Sequence, residues 1–193
     1  VGMSTGLVYE PGRYASTEEV VDLAKVVGRH GGLYVSHMRD EGAGLLDSVK
    51  ETLHIGEASE SAVEISHHKA VGKANWGQVA RSLEMIEEAV DKGRDVTADQ
   101  YPYTARSTML FALVQNGTFA PGDGGAMGKS EPSEVLLCSV PGQADFEGRT
   151  LQSFVEEFDL PGEEAAKKLI SDYSNEILVA AFGMDEGDVR MVM

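Results

Sequence analysis

The feature that most constrains the fold is a unit of about 30 residues, the size of a strand, a helix and their loops, that recurs along the chain. In each unit a short apolar segment precedes an amphipathic one, and the candidate strands lie at residues 5–9, 33–37, 62–67, 95–99, 135–139 and 176–181. The segment after the first strand begins with the capping-box pattern Ser16-Thr17-Glu18-Glu19 and then carries apolar residues at helical spacing. Short strands that alternate with amphipathic helices predict a parallel sheet with right-handed crossovers.

The even period favours a (β/α) barrel over a doubly wound sheet. A closed barrel of this kind has eight strands and typically about 250 residues. This chain has 193 residues and about six candidate strands. We therefore expect an α/β fold, part of a (β/α)8 TIM-type barrel with parallel strands, in a single domain over residues 1–193. An incomplete barrel of this length is interpreted as a fragment.

The regular period breaks at residues 116–133, which are rich in glycine and include Pro121 and Pro132. Loops of this length in a compact domain are usually functional or disordered. We expect a long loop or lid there. The run Gly122-Asp123-Gly124-Gly125 is expected to be flexible chain, because it lacks the preceding strand and the following helix of a phosphate-binding loop.

The charge balance is strongly acidic, with 32 Asp and Glu residues against 16 Lys and Arg residues and a formal net charge of -16. Proteins that bind the nucleic-acid backbone present basic patches, so nucleic acid is not expected as a partner. The longest apolar runs are too short to span a bilayer, so no membrane partner is expected either. The single cysteine, Cys138, excludes an internal disulfide and predicts a reducing, cytoplasmic location. It is expected to be a small core residue.

Two histidines occupy matching positions, His37 after Ser36 at the end of one predicted strand and His67 after Ser66 at the end of the next. Functional groups of a parallel barrel lie at the carboxyl ends of its strands. Neutral imidazoles from adjacent strands suit zinc, nickel or cobalt. The alternative for each is a hydrogen-bonded histidine at the barrel mouth, and the pattern alone leaves the two interpretations about even.

Three neighbouring side chains bear on the same site. Asp99 ends the fourth predicted strand and either orients a metal-bound histidine or caps the loop. Lys69 either meets an anionic group of a substrate or lies at the surface. His68 follows His67 directly and is expected to point to the opposite side of the strand end.

Five sequence runs resemble the D-aminoacylases and N-acyl-D-amino-acid deacylases, a family of the metal-dependent amidohydrolase superfamily. The first run is Gly-Met-Ser-Thr-Gly-Leu-Val-Tyr-Glu-Pro-Gly, and the third is Ile-Ser-His-His-Lys. The runs occur in the family's order and spacing, at residues 2–12, 36–41, 65–69, 95–104 and 182–189. They cover nearly the whole chain, which makes the signal far more specific than an isolated pair of histidines.

This resemblance implies roles for individual residues. His37 and His67 would hold a tightly bound Zn2+. The carboxylate of the substrate would be bound, and its scissile amide oriented, by Tyr9, Lys69 and Ser107. The implied activity is hydrolysis of N-acyl-D-amino acids, by a hydrolase acting on carbon-nitrogen bonds other than peptide bonds. In such a reaction zinc polarises the amide carbonyl and lowers the pKa of an attacking water, which an aspartate deprotonates.

The resemblance also places several elements outside this chain. The general-base aspartate is expected beyond Met193, so no residue present is assigned a catalytic role, and the isolated fragment is expected to be inactive. An upstream His-x-His pair and a bridging ligand are also missing, and Cys138 lies on the wrong strand to replace that ligand. Arg106 beside Ser107 and the short segment 116–133 depart from many relatives. They leave the preferred acyl group and D-amino acid open.

Two other functions remain as alternatives. One is a cyclic-amide hydrolase of the same superfamily, dihydroorotase- or hydantoinase-like, although the contexts of Tyr9 and Lys69 favour the deacylase. The other is a non-catalytic barrel fragment that self-associates, because an incomplete barrel exposes strand edges and an apolar interior face. The expected partners are thus a small-molecule N-acyl-D-amino acid and either a second copy of the chain or the rest of the barrel.

Overall fold

The computed structural model describes residues 1–193, which form two β-sheets. The first sheet holds four parallel strands in chain order: β1 Gly2–Gly6, β2 Leu33–His37, β3 Ala62–Ile65 and β4 Val96–Ala98. Three helices connect these strands: α1 Thr17–Arg29, α2 Leu45–Ser59 and α3 Gln78–Asp91. An α/β arrangement with a parallel sheet is thereby confirmed for the first half of the chain.

Helix α1 begins where the capping pattern predicts. The Ser16 hydroxyl accepts a hydrogen bond from the backbone N–H of Glu19 at 3.2 Å, which satisfies one of the unpaired amides of the first helical turn. The buried side of the helix, formed by Val20, Val21 and Ala24, packs into a core of 14 buried residues. This core joins the helices to one face of the parallel sheet.

The second sheet is antiparallel and has three strands in the order β5-β7-β6. Its strands are β5 Ala105–Met109, β6 Val135–Ser139 and β7 Leu178–Phe182. The helices of this half are α4 Leu110–Gln115, α5 Leu151–Phe158, α6 Gly162–Asp172 and, after β7, α7 Glu186–Val192. A separate core of 16 buried residues lies between this sheet and helices α4, α5 and α6.

The second sheet differs from the expected continuation of a parallel barrel, and no closed barrel forms. Two helices, α5 and α6, separate β6 from β7. The chain therefore enters β7 from the end at which β6 finishes and runs back beside it. Strand β5 was absent from the sequence prediction because Ala-Arg-Ser-Thr-Met has no apolar run, and its most buried residue is Arg106.

The segment 116–133 is packed between the two halves and is not the flexible chain expected at Gly122–Gly125. The carbonyl of Ala126 accepts a hydrogen bond from the backbone N–H of Glu41 at 2.9 Å. The carbonyl of Met127 accepts one from Nη2 of Arg106 at 2.9 Å. Gly128 has a φ of 64°, and a Cβ there would lie 2.4 Å from the carbonyl oxygen of Val71. Only glycine therefore permits this close approach.

None of the helices has the length and apolar character required to cross a membrane. Cys138 is exposed, in contrast to the expected core position. The cause is the alternation of side chains along β6. Val135 and Leu137 face the core, which leaves Cys138 on the open side of the sheet.

Candidate metal and substrate site

The carboxyl ends of β2 and β3 bring two imidazoles into contact. His37 is the last residue of β2, and His67 follows shortly after β3 ends at Ile65. The centroids of the two rings are 4.3 Å apart, with an angle of 77° between their planes. His67 has a left-handed φ of 41°, which is uncommon for a residue other than glycine and is found preferentially at functional sites.

A buried carboxylate, absent from the sequence prediction, completes this pair. Glu41 follows β2, and its Oε1 lies 3.2 Å from Nδ1 of His67 and 3.7 Å from Nε2 of His37. One donor atom from each of the three residues can be chosen so that all lie within 4.8 Å of one another, a spacing that could hold a metal ion. The signal in the sequence is the spacing of His37 and Glu41, four residues apart in the run 36–41.

Lys69 lies against the carboxylate of Glu41. Its Nζ is 2.6 Å from Oε1 of Glu41, 2.9 Å from Nδ1 of His67 and 2.8 Å from the backbone carbonyl oxygen of His67. The side chains of Lys69 and Glu41 are only 4% and 3% exposed. Burial alone would raise the pKa of Glu41, but the ammonium of Lys69 and the hydrogen bond with His67 bring it below its usual range. Glu41 is therefore an ionised carboxylate.

His37 is held in its neutral form. Burial lowers its pKa to about 4, against the opposing attraction of Glu41. Its Nε2 is buried and has no hydrogen-bond partner. A neutral ring with an unpartnered nitrogen is the form of histidine that binds metal ions.

His68 and Asp99 support the loop around His67. His68 points away from the cluster, as expected, and its Nε2 lies 2.8 Å from the hydroxyl of Ser82 on α3. Burial lowers the pKa of His68 to about 4. The carboxylate of Asp99 accepts a hydrogen bond from the backbone N–H of His67. Of the two roles open to Asp99, the structure shows the fixing of the loop.

Two tyrosines flank the histidines. The ring of Tyr9 meets that of His37 edge-on, with centroids 4.9 Å apart, and the Tyr101 centroid is 6.4 Å from that of His67. The Nζ of Lys69 lies 5.6 Å from the centroid of Tyr101. Burial raises the pKa of both tyrosines, so both keep their hydroxyl protons as potential hydrogen-bond donors.

The structure brings together four of the five predicted site residues but not Ser107, which is exposed on β5. Successive residues of a strand point to opposite faces, so its neighbour Arg106 is turned to the buried side. Arg106 makes one hydrogen bond, to the carbonyl of Met127, and its Nε and Nη1 have no partner. Around the histidines, two buried cations, Lys69 and Arg106, therefore outnumber the one buried carboxylate, Glu41. The other buried carboxylate of the chain, Asp188, lies on α7 and accepts the backbone N–H of Gly77.

The chain is similar to deacylases acting on D-amino-acid derivatives. D-aminoacylase of Alcaligenes xylosoxydans xylosoxydans is 44% identical over 110 residues, which make up 57% of this chain and 22% of that protein. The N-acyl-D-aspartate deacylase of the same organism is 31% identical over 192 residues, covering 99% of this chain and 34% of the relative. No protein-family model matches the chain.

The fold is shared with a solved structure of the same kind. N-acyl-D-glutamate deacylase from Bordetella bronchiseptica, crystallised with zinc and a phosphonate mimic of the tetrahedral intermediate, matches 100% of this chain and 36% of its own. The TM-score is 0.84 and the sequence identity 29%. The chain thus spans about a third of the length of the relatives that it matches from end to end.

Proposed function

We propose that this chain, which is homologous to part of the D-aminoacylases and N-acyl-D-amino-acid deacylases, carries part of the metal and substrate site of a zinc-dependent hydrolase. The proposed reaction is hydrolysis of the amide bond of an N-acyl-D-amino acid. The observation that carries the proposal is the convergence of His37 and His67 beside the buried carboxylate of Glu41. Two histidines that served only as hydrogen-bonded residues at a barrel mouth would not need to converge on one buried carboxylate.

The residues present fit a zinc ion. The ring of His37 is neutral, and its buried Nε2 lacks the partner that a buried polar atom ordinarily has. We assign His37 and His67 as the residues that hold the metal. Two imidazoles also suit nickel and cobalt, and the zinc of the Bordetella bronchiseptica enzyme favours zinc. When bound, a zinc ion polarises the amide carbonyl and lowers the pKa of the attacking water.

The remaining side chains would bind and orient the substrate. We propose that the hydroxyl of Tyr9 and the ammonium of Lys69 bind its carboxylate through hydrogen bonds, which charge strengthens for Lys69. The positive excess from Lys69 and Arg106 favours an anionic substrate at this place despite the net charge of -16 on the chain. Ser107 remains a predicted contact, placed on the open face of the second sheet.

The general base is not assigned to any residue of this chain. The carboxylate of Glu41 is paired with Lys69, and that of Asp99 accepts the backbone N–H of His67. We propose that the base is the aspartate expected beyond Met193. The cytoplasmic location expected from the single cysteine also remains a prediction.

The metal content of the purified chain tests this function. After incubation with zinc and dialysis, we expect bound zinc in the wild type and a large loss in the double variant His37→Ala, His67→Ala. His54→Ala is the matched control, because His54 is an exposed histidine on α2 outside the cluster. Equal zinc in the double variant and the control would contradict the assignment of the metal ligands.

Substrate specificity separates the deacylase from the cyclic-amide hydrolase. A protein in which this sequence is joined to the remaining barrel elements is expected to hydrolyse N-acyl-D-amino acids and to leave dihydroorotate and hydantoins intact. The reason is that Tyr9 and Lys69 lie in sequence runs that resemble the deacylases, in which they would bind the carboxylate of the substrate. Turnover of the cyclic substrates alone would favour the alternative.

A non-catalytic, self-associating chain is the second candidate. Met109, Leu178 and Phe182 are 46%, 40% and 47% exposed on the open face of the second sheet. Apolar side chains clustered on one face typically mark a surface that another element covers. We propose that a second copy, or the remaining barrel elements, covers this face.

A further inference from the structure

We infer that Glu41 is a positioning residue that keeps the proton of His67 on Nδ1, which leaves Nε2 for a metal ion and one hydrogen of Lys69 for a substrate. The inference rests on the proposed function, since it takes His67 as a metal ligand. It assigns a task to a buried carboxylate that neither the sequence motifs nor the proposed reaction uses.

Glu41 and Lys69 compete for the same ring atom. Oε1 of Glu41 lies 3.2 Å from Nδ1 of His67, and Nζ of Lys69 lies 2.9 Å from it. A carboxylate can only accept a hydrogen bond, and an ammonium can only donate one. The contact with Glu41 therefore requires the proton on Nδ1, whereas the contact with Lys69 requires it on Nε2. The two tautomers have the same net charge, so only the position of one proton differs.

The surroundings of the ring favour a metal at Nε2. Nδ1 faces Glu41 and Lys69, whose side chains are 3% and 4% exposed, while the His67 side chain as a whole is 28% exposed. The accessible side of the ring is therefore the one away from Nδ1. Histidines that bind metals through one nitrogen usually donate the other N–H to a carboxylate or a carbonyl. Glu41 is placed to accept that proton.

Direct ligation by Glu41 through the same space is disfavoured. A cation that bridged Oε1 of Glu41 and Nδ1 of His67 would need the position near which Nζ of Lys69 lies, 2.6 Å and 2.9 Å from the two atoms. Two positive charges about 3 Å apart inside a protein repel strongly. The ammonium of Lys69 already takes the place of such a cation.

The tautomer of His67 also decides what Lys69 can bind. With the proton on Nε2, all three hydrogens of Lys69 have acceptors: Oε1 of Glu41, the carbonyl oxygen of His67 and Nδ1 of His67. With the proton on Nδ1, the third acceptor is lost and one hydrogen becomes available for a substrate carboxylate. Metal binding at Nε2 thus selects the state in which Lys69 has a donor to offer.

Nitrogen-15 NMR of the imidazole rings in the metal-free chain tests the competition directly. Glu41→Gln replaces an obligate acceptor by an amide, and the fraction of His67 protonated on Nδ1 is expected to fall. Lys69→Met removes the competing donor, and the same fraction is expected to rise. A purely structural role for the pair predicts no such opposite shifts. Unchanged tautomers, or shifts in the same direction, would overturn the inference.

Zinc titration, first of the wild type and then of two variants, gives a second test. The inference expects the proton of His67 to stay on Nδ1 in the zinc-bound chain, and a proton on Nε2 would overturn it. Glu41→Gln is expected to weaken zinc binding by about 10–100-fold, as is typical for loss of such a partner, whereas His67→Ala removes a ligand. If no zinc binds at all, the proposed function fails, while the tautomer shifts in the metal-free variants still decide the role of Glu41.

Discussion

The histidines and the carboxylate of the cluster differ in how visible they are in the sequence. His37 and His67 follow matching strand ends, so their convergence could be predicted from local patterns alone. Glu41 lies in a loop, where an acidic side chain is ordinarily exposed. It is buried beside Lys69, His37 and His67, and its backbone N–H donates to the carbonyl of Ala126, 85 residues further along the chain. A contact so distant in sequence gives no local sign that Glu41 is buried, and only its spacing of four residues from His37 points to the cluster.

The buried His68 and the partly buried His37 make the stability of the metal-free chain depend on pH. The pKa values of His37 and His68 are lowered to about 4 from an ordinary value of 6.5. Between these values the unfolded chain binds more protons than the folded one, so the free energy of unfolding rises with pH from 4 to 6.5. The stabilisation is present above about pH 6.5 and is lost as the pH falls toward 4.

Urea unfolding at pH 5 and pH 7 checks this expectation. Each histidine contributes a slope of up to about 1.4 kcal/mol per pH unit in that window. His68→Gln keeps an amide near Ser82 and is expected to reduce the slope. His54→Gln, on the exposed side of α2, serves as the control. Equal slopes in all three proteins would show that buried His68 does not carry the effect.

At the scale of elements, the predicted period held for the helices and the parallel strands and failed where strand direction had to be inferred. Hydrophobic periodicity reports which residues are buried, but not whether a strand runs up or down. The paired helices α5 and α6 reverse the chain before β7. The one buried residue of strand β5 is an arginine, Arg106, so the periodicity of apolar residues could not predict this strand.

The tight packing of the segment 116–133 can be tested by Gly128→Ala, with Gly142→Ala outside the segment as the control. Gly128 and Gly142 both have a positive φ, at 64° and 75°, but only at Gly128 would an added Cβ meet another atom within 4 Å. Both Ala variants lose about 1–2 kcal/mol from the left-handed backbone. Gly128→Ala is expected to lose a further amount of about 1–3 kcal/mol from overpacking against Val71. Chemical denaturation of the two variants measures the difference, and equal losses would show that the segment yields freely.

For the whole molecule, we expect the open face of the second sheet to govern association in solution. Met109, Leu178 and Phe182 present apolar surface there, and a protein exposing such a face tends to bury it by association. We expect light scattering to show dimers or larger species whose share grows with concentration. A monomer at all concentrations would contradict the proposed self-association.

A matched pair of variants locates the surface responsible. Phe182→Ser is expected to shift the population toward the monomer, since it removes the largest apolar side chain of the open face. Tyr14→Ser is the control, because Tyr14 is 72% exposed near the start of α1, away from this sheet. A similar shift in both variants would place the contact elsewhere.

Because the two halves of the chain have separate cores, each half could change independently during evolution. His37, Glu41, His67 and Lys69 all belong to the half built on the parallel sheet, and the second half contacts this group through the carbonyl of Ala126, which accepts the backbone N–H of Glu41. Recombination or insertion in the second half could therefore replace the segment that contacts Glu41 without altering the proposed metal ligands, His37 and His67. The part of the gene that encodes residues 1–98 would thus carry both the proposed metal ligands and the proposed substrate contacts Tyr9 and Lys69, and the rest could diversify while both are preserved.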